Sequence, residues 1–284
     1  MQQAETSPRP SSEVRITDAD YRRFRKYLEE MTGILLGESK KYLVASRLSR
    51  LMETEGLHSL GELVDRLVLP TEKGLRQQVI EAMTTNETSW FRDGYPFEVL
   101  ATDILPELAE RGVRRPRIWS AACSTGQEPY SISMVVSEFL ARQPGAFDEV
   151  PILATDIDTR AIAIAREGCY DDLSVGRGLS QQRLERFFRR EGRHWRISDE
   201  VRRRIEFRVM NLQSGAMTHR FDVVFCRNVL IYFSADTKRA ILDRIARAMR
   251  PGACLFPGAS ESISQYSDAF EMVRTRRGIH YRLR

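Results

Sequence analysis

The chain has 284 residues, of which 42% are hydrophobic and 29% charged, and its formal net charge is +5. These values are ordinary for a soluble globular protein and allow one large domain plus a smaller one. No apolar run approaches the roughly 18 residues that a membrane-spanning helix needs, and the polar first residues show no signal-peptide pattern, which predicts a cytoplasmic protein.

The four cysteines form no C-x-x-C pair, which argues against a disulfide framework or a structural zinc site. The positive charge permits nucleic acids or acidic proteins as partners and does not decide between them.

The first part of the chain predicts a small helical domain. Residues 1–14 are polar and rich in Pro and Ser, and we expect them to form a flexible tail. Thr17 and Asp20 resemble a capping box, and apolar residues then recur at helical spacing. Further helices are expected at residues 39–55, 60–67 and 71–83. An all-α N-terminal domain over residues 15–83 follows from this pattern.

Strands and helices alternate after residue 83, and the polar-to-aromatic segment that begins at Thr84 marks the predicted domain boundary. Strands are expected at residues 117–120, 152–156, 205–209, 221–226, 253–257 and 278–283, and helices at residues 129–141, 159–167 and 235–249. This alternation predicts an α/β fold with an open, mostly parallel sheet and helices on both faces. Residues from about 168 to 204 interrupt the alternation and predict a small insertion that contains a hairpin.

Asp156 ends the second predicted strand. In sheets of this kind a ligand lies beyond the carboxyl ends of the strands, and a carboxylate there can accept hydrogen bonds from both ribose hydroxyls. The alternative role of Asp156 is the N-cap of the helix that begins at Thr159, but Asp158 is better placed for that cap. We therefore expect Asp156 to bind a ligand.

The segment after the first strand, Ala121–Glu128, resembles a nucleotide-binding loop that lacks its glycines. Glycine-rich loops let the backbone approach a pyrophosphate, whereas this segment has small side chains, among them Ala122, and one glycine. Glu128 would repel a diphosphate and would suit a cationic amine or sulfonium. A positively charged nucleoside without phosphate is favoured, and S-adenosylmethionine fits that description. Cys123 has no base partner within sequence reach, so we expect no chemistry from its thiol.

Four ordered segments resemble those of a known family. They are Thr84–Arg92 (TTNETSWFR), Ser120–Ser131 (SAACSTGQEPYS), Ala154–Asp158 (ATDID) and Cys226–Phe233 (CRNVLIYF). Together they resemble the CheR-type chemoreceptor glutamate methyltransferases, and the resemblance covers nearly the whole chain after the tail. It implies a Rossmann-like class I methyltransferase sheet over residues 96–284, with a small antiparallel β-subdomain as the insertion, behind a helical domain that docks on the receptor.

The resemblance also implies where the site lies. Residues 84–95 would connect the domains and line the cofactor pocket. The residues predicted to bind S-adenosylmethionine are Asn86, Thr88, Arg92, Ala122, Glu128, Asp156, Asn211, Leu212, Asn228 and Val229. Arg92 and Tyr232 would lie nearest the reacting methyl group and act as catalytic residues, and no metal is expected.

The implied reaction needs little acid or base catalysis. A glutamate side chain, with an ordinary pKa of about 4.3, is ionised at neutral pH and can attack a sulfonium methyl group directly. The enzyme has to place the carboxylate in line and exclude water. A cation such as Arg92 or a phenol such as Tyr232 can hold one carboxylate oxygen while the other attacks.

A cationic stripe in the first domain is the predicted docking surface. Its residues are Lys40, Lys41, Arg47 and Arg50, with no acidic residue between Ser39 and Met52. The resemblance implies that the stripe binds the acidic helical bundle of a chemoreceptor, and a solvated helix face is the alternative. The turn at residues 189–194 has a single glycine, whereas family members that bind a receptor's C-terminal pentapeptide have a longer, glycine-rich loop. We expect docking without that peptide tether.

Two other functions stay open. A nucleic-acid methyltransferase would suit the net charge, but residues 227–230 lack the Asn/Asp-Pro-Pro-Tyr-like turn that accepts a target amine. A non-catalytic sensor of S-adenosylmethionine is the second alternative, and the presence of Arg92 and Tyr232 argues against it. We expect neither a nucleic acid nor a membrane as a direct partner. Trp90 and Phe91 are expected to pack between the two domains.

Overall fold

The computed structural model describes residues 15–215 and 217–284. The tail predicted for residues 1–14 lies outside the described residues. The chain divides into two compact units, one made of the residues up to Met31 together with Leu35–Met83, the other of Thr32–Ile34 and Thr84–Arg284. None of the helices in the described ranges is both long and apolar enough to cross a membrane.

The first unit is helical, as its sequence pattern predicts. Its helices within the described residues are α1 (Asp18–Thr32), α2 (Lys41–Thr54), α3 (Leu60–Leu67) and α4 (Lys73–Met83). The backbone N–H of Asp20 donates to Thr17 Oγ1 at 3.1 Å, and that hydroxyl donates to the Asp20 carboxylate at 2.6 Å, so the first turn of α1 has its predicted cap. The second helix begins two residues later than expected, because Lys40 is its N-cap residue.

A large, mostly parallel sheet forms the centre of the second unit. The strands of this unit are β1 (Ile118–Ala121), β2 (Ile152–Asp156), β3 (Cys169–Tyr170), β4 (Phe188–Glu191), β5 (His194–Ile197), β6 (Ile205–Val209), β7 (Phe221–Cys226), β8 (Met249–Pro257), β9 (Phe270–Arg274) and β10 (Ile279–Leu283). Seven of them form one sheet in the order β6-β2-β1-β7-β8-β10-β9. The first five strands of this order pair in parallel, and β10 pairs antiparallel with both β8 and β9. The predicted fold class is confirmed.

Helices cover both faces of this sheet. The α-helices that the structure describes in the second unit are α5 (Tyr95–Val99), α6 (Leu105–Glu110), α7 (Gln127–Arg142), α8 (Thr159–Glu167), α9 (Asp172–Gly176), α10 (Gln181–Phe187), α11 (Asp199–Arg202) and α12 (Ala235–Ala248). A π-helical segment, Leu100–Ile104, joins α5 to α6. Successive side chains of β7 lie on opposite faces of the sheet. Val223 belongs to the apolar cluster that contains Ile132 of α7, and Val224 belongs to the cluster that contains Ile241 of α12. A strand buried on both faces needs a continuous apolar sequence, which is why β7 could be predicted at its observed bounds.

The insertion forms a separate antiparallel sheet of three strands in the order β3-β5-β4. Its hairpin joins β4 to β5 through Gly192, whose φ of 60° suits a tight turn. The predicted hairpin is therefore confirmed, and three short helices, α9 to α11, accompany it.

Trp90 packs inside the second unit, and Phe91 packs there as well, against Phe97, which corrects the expectation that both lie between the two domains. The Trp90 ring contacts Tyr170 and Phe188 of the insertion at centroid distances of 5.1 and 5.3 Å. Its Nε1 donates to the carbonyl of Ser174 at 3.0 Å. Trp90 thus fastens the chain segment after Thr84 to the insertion.

His280 in β10 makes the stability of the second unit sensitive to pH. The side chain is buried against Phe256, and within the described residues neither of its ring nitrogens has a hydrogen-bond partner. Burial lowers the pKa of His280 from its ordinary value of about 6.5, with the nearby Arg282 charge acting in the same direction. The unfolded chain therefore takes up a proton that the folded chain resists. The stability that the uncharged His280 contributes is present above pH ~6.5 and is lost as the pH falls below that value.

We expect His280→Phe to flatten this dependence. The aromatic replacement keeps the packing against Phe256 and removes the proton uptake, which contributes at most about 1.4 kcal/mol per pH unit. Urea unfolding at pH 7.5 and pH 5.5 measures the effect. An equal loss of stability in both proteins between these two pH values would exclude His280 as its source.

Candidate functional site

The loop after β1 turns sharply at the carboxyl edge of the sheet. Ala122, Ser124 and Gly126 have φ values of 60°, 51° and 98°, all in the left-handed region. A Cβ on residue 126 would lie 2.9 Å from the Cβ of Ala165 and 3.0 Å from the hydroxyl of Tyr170, so this position requires glycine. The loop needs its one glycine for packing, and short side chains suffice elsewhere.

Asp156 lies at the end of β2, directly beside this loop. Its side chain is 8% exposed, and its two oxygens accept backbone N–H groups of Ser124 and Asp158 at 2.8 and 3.0 Å. Burial raises the pKa of the Asp156 carboxyl, and these N–H bonds oppose the rise. A carboxylate has about four lone-pair sites, so the group can accept a further hydrogen bond from a ligand hydroxyl.

Asp158 is the N-cap of α8, as expected. Its Oδ1 accepts from the backbone N–H groups of Arg160 and Ala161 at 2.8 and 3.0 Å. The other oxygen accepts the side-chain amide of Asn86 at 2.6 Å, and the carbonyl of Asn86 accepts the Ser124 hydroxyl at 3.0 Å. The structure thus brings Asn86, predicted from a distant segment, to the loop after β1. Thr88 follows two residues later and is half-buried.

Glu128 in the first turn of α7 belongs to a buried ion pair. Its Oε1 accepts from the Ser120 hydroxyl at 2.7 Å and its Oε2 accepts from Arg227 at 3.1 Å. Burial raises the pKa of Glu128, and the charge of Arg227 opposes that rise. Glu128 was expected to act as an unpaired carboxylate that favours a cationic ligand, and this expectation is corrected here, because Arg227 already supplies a positive charge beside it.

Arg227 connects three parts of the site, and its role was missed at the sequence level. Its side chain is only 2% exposed. Besides Glu128, the guanidinium donates to the backbone carbonyl of Arg92 at 2.8 Å and to the carboxylate of Asp93 at 2.6 Å. An arginine that directly follows a buried strand was the available signal, since arginine is almost never fully buried without a partner.

Arg92 presents its guanidinium at the half-buried edge of this network. One nitrogen donates to the carbonyl of Glu87 at 3.2 Å, which leaves other donors of the planar group for a ligand. Its charge also opposes the rise in the pKa of Glu128. The segment takes an unusual path at this point, with Phe91 and Asp93 at φ values of 48° and 65°.

The turn after β7 carries three predicted site residues. Asn228 has a φ of 56°, a conformation that asparagine tolerates better than most residues. Val229 is half-buried against the core, and a 3₁₀ turn over Leu230–Tyr232 follows. The Tyr232 side chain is half-buried, and its hydroxyl has no hydrogen-bond partner among the residues that the structure describes.

Asn211 and Leu212 follow β6 at the same edge of the sheet. The N–H of Met210 donates to the carbonyl of Asp156 at 2.8 Å, which carries the pairing of the two strands up to the site. The side chain of Asn211 accepts the backbone N–H of Gln213 at 2.9 Å, and Leu212 is partly buried against the core. Both residues therefore lie near the end of β2, as the parallel arrangement predicts.

Cys123 is buried within the loop after β1. Burial raises the pKa of its thiol well above the ordinary value, and the charges of Asp156 and Glu128 act in the same direction. A thiol with such a raised pKa stays protonated at neutral pH, which suits a packing residue rather than a nucleophile.

The predicted docking residues lie in the first unit and differ in their surroundings. Lys40 and Arg50 are exposed. Lys41 forms an ion pair with Asp18, and Arg47 donates to the carbonyl of Met83 at 2.7 Å. The free positive charge of the stripe is therefore concentrated on Lys40 and Arg50.

Known proteins resemble the chain over nearly its whole length. Residues 19–84 match the CheR methyltransferase all-alpha domain, and residues 86–279 match the CheR methyltransferase SAM binding domain. Chemotaxis protein methyltransferase 1 of Pseudomonas aeruginosa is 52% identical over 270 residues, which cover 93% of this chain and 98% of that protein. Chemotaxis protein methyltransferase Cher2 of Pseudomonas putida is 50% identical, with coverage of 92% and 97%. The chemotaxis protein methyltransferase of Escherichia coli is 35% identical, with coverage of 90% and 89%.

Proposed function

Because the chain belongs to the CheR methyltransferase family, we propose that it transfers the methyl group of S-adenosylmethionine to glutamate side chains on the cytoplasmic helices of chemoreceptors. The products are glutamate methyl esters and S-adenosylhomocysteine, and the reaction serves sensory adaptation in the cytoplasm. The observation that carries the proposal is the contact of Arg227 with the Arg92 segment and with Glu128. This contact joins the candidate catalytic residues to the edge of the sheet where a nucleoside would bind.

The residues at this edge fit such a nucleoside. Asp156 can accept a further hydrogen bond from a ribose hydroxyl, while Leu212 and Val229 offer apolar surface to a purine. The short side chains of Ala122 and Ser124 suit a ligand that lies close to the loop after β1. Further polar groups at this edge of the sheet come from Asn86, Thr88, Asn211 and Asn228.

S-adenosylmethionine supplies a methyl group on a positively charged sulfur, which an ionised carboxylate can accept directly. The protein therefore has to orient the carboxylate rather than deprotonate it. Arg92 offers a charge-assisted hydrogen bond to one carboxylate oxygen, and the Tyr232 hydroxyl offers a second donor. Neither group has to change its protonation state, and none of these roles requires a metal.

The first unit supports a chemoreceptor as the proposed partner. Lys40 and Arg50 present exposed positive charge, which suits an acidic helical bundle. The hairpin turn of the insertion is short, with β4 ending at Glu191 and β5 beginning at His194, so we propose docking without the C-terminal pentapeptide. Nucleic acid has no part in this proposal.

A methyl-transfer assay tests the function. Membranes rich in chemoreceptors are incubated with the protein and S-adenosylmethionine labelled in its methyl group. Label that enters receptor protein and is released by mild alkali identifies a carboxyl ester and supports the proposal. Label in added RNA would favour a nucleic-acid methyltransferase instead. Binding of S-adenosylhomocysteine without transfer to either would favour a sensor.

Cofactor affinity should depend strongly on Asp156. We expect Asp156→Asn to weaken the binding of S-adenosylhomocysteine about 10- to 100-fold, because the variant loses charged acceptors for the ribose hydroxyls. Isothermal titration calorimetry measures the change. Asp222→Asn is the matched control, since Asp222 is another buried carboxylate that accepts a backbone N–H, at the opposite end of the sheet. Equal affinities in both variants would remove Asp156 from the site.

A further inference from the structure

Glu261 holds the turn after β7 by its carboxylate. The residue follows the end of β8 by four positions and is 9% exposed. Its Oε2 accepts the backbone N–H groups of Asn228 and Gly258 at 2.6 and 2.8 Å, and its Oε1 accepts the N–H of Ile231 at 3.1 Å. Across residues 15–215 and 217–284, Glu261 forms no ion pair with a lysine or an arginine. Its three hydrogen bonds among these residues all come from backbone N–H groups.

The turn needs such an acceptor. Asn228 leaves the strand in a left-handed conformation, and Ile231 lies in a 3₁₀ turn. The N–H groups of these residues are therefore outside the sheet ladder, and leaving a buried backbone N–H unpaired costs about 1–3 kcal/mol. The carboxylate satisfies both of them at once and so selects this path of the backbone.

The same contact requires the ends of β7 and β8 to approach closely. A Cβ on residue 258 would lie 2.7 Å from Glu261 Oε2 and 2.9 Å from the backbone nitrogen of Asn228. Glycine at this position therefore allows the carboxylate to lie between the two strand ends. The arrangement leaves the Ile231 side chain 53% exposed, next to Tyr232.

We propose that Glu261 is a positioning residue for methyl transfer. It acts through the backbone of residues 228–232, setting where Asn228 and Val229 meet the cofactor and where the Tyr232 hydroxyl meets the substrate carboxylate. The adjacent Arg227 holds the Arg92 segment, so the two candidate catalytic residues are positioned from neighbouring points of one turn. The inference rests on the proposed function, and it adds a residue that the family resemblance does not include.

Glu261→Gln tests the role with little change of shape. Glutamine keeps one acceptor oxygen, and its NH₂ group can only donate, so one side of the carboxylate contact becomes a clash of donors. We expect the affinity for S-adenosylhomocysteine to fall about tenfold and kcat for receptor methylation to fall by a similar factor at saturating substrates. Asp222→Asn is the control for the loss of a buried carboxylate, and we expect it to lower the melting temperature without either of these changes.

A double-mutant cycle with Tyr232→Phe separates positioning from simple destabilisation. If Glu261 acts through Tyr232, the loss of kcat caused by Glu261→Gln is smaller in the Tyr232→Phe background than in the wild type. Losses of kcat that multiply, together with unchanged binding of S-adenosylhomocysteine, would overturn the proposal. If Glu261→Gln fails to fold, Glu261→Asp takes its place, since the shorter carboxylate keeps the charge and cannot span all three N–H groups. Calorimetry needs no receptor, so a failure of the proposed reaction would still leave the positioning of the cofactor turn tested.

Discussion

Arg92→Ala is expected to lower kcat/KM for receptor methylation about 100-fold while leaving stability nearly unchanged. The guanidinium would supply a charge-assisted hydrogen bond to the reacting carboxylate, worth about 1.5–3 kcal/mol. The Arg92 side chain contributes little to stability, since its guanidinium makes one hydrogen bond, of 3.2 Å, to the carbonyl of Glu87. The contact that anchors the segment uses the backbone carbonyl of Arg92, which alanine keeps. Tyr232→Phe should cost less, about 3- to 10-fold, because a neutral donor is lost.

Single-turnover methylation with saturating S-adenosylmethionine measures the chemical step. Arg92→Lys retains the charge without the planar fork and should recover only part of the rate. Arg177→Ala is the matched surface control, because Arg177 also contacts Glu87 but through an exposed ion pair. Normal turnover by Arg92→Ala would remove this residue from the reaction.

Strands with strong sequence patterns could be predicted, and an exposed edge strand could not. The apolar runs of β2 and β7 are buried on both faces, and their predicted and observed bounds agree. Strand β9, Phe270–Arg274, was missed because most of its side chains are exposed, whereas β6, at the other edge of the sheet, has mostly half-buried side chains and was predicted at its observed bounds. Its sequence carries polar and apolar residues without the run that a central strand needs. The start of β8 was missed as well, since Pro251 and Gly252 interrupt its pattern.

The parts of the site that depend on residues close together in the sequence could be predicted from helix chemistry. The choice of Asp158 over Asp156 as the N-cap follows from helix chemistry alone, and the structure bears it out. Arg227 and Glu261 were missed because their partners are distant along the chain. Arg227 meets Asp93 across 134 residues, and Glu261 meets Asn228 across 33. A single sequence contains no signal for such pairing beyond the presence of a charge next to a buried strand.

Replacing the buried Arg227 is expected to have a large effect on the free energy of unfolding. Arg227→Met should lower the free energy of unfolding by about 3–5 kcal/mol, because the buried Glu128 loses the cation that offsets its burial and Asp93 loses its ion-pair partner. Methionine fills a similar space, so the loss reflects charge and hydrogen bonding rather than a cavity. Without Arg227 the pKa of Glu128 should rise further, since burial is its largest cause and Arg227 opposes it. The deficit in stability should therefore shrink as the pH is lowered and Glu128 becomes protonated.

Urea unfolding and methylation rates together separate stability from positioning. Arg115→Met is the control, because Arg115 pairs with Glu149 at the exposed surface and its loss should leave the unfolding free energy nearly unchanged. Adding Glu128→Gln to Arg227→Met removes one uncompensated charge and should restore part of the stability. It should not restore activity, because nothing then holds the carbonyl of Arg92 against the end of β7. Recovery of both stability and rate in the double variant would show that the ion pair contributes to folding alone and has no role in placing Arg92.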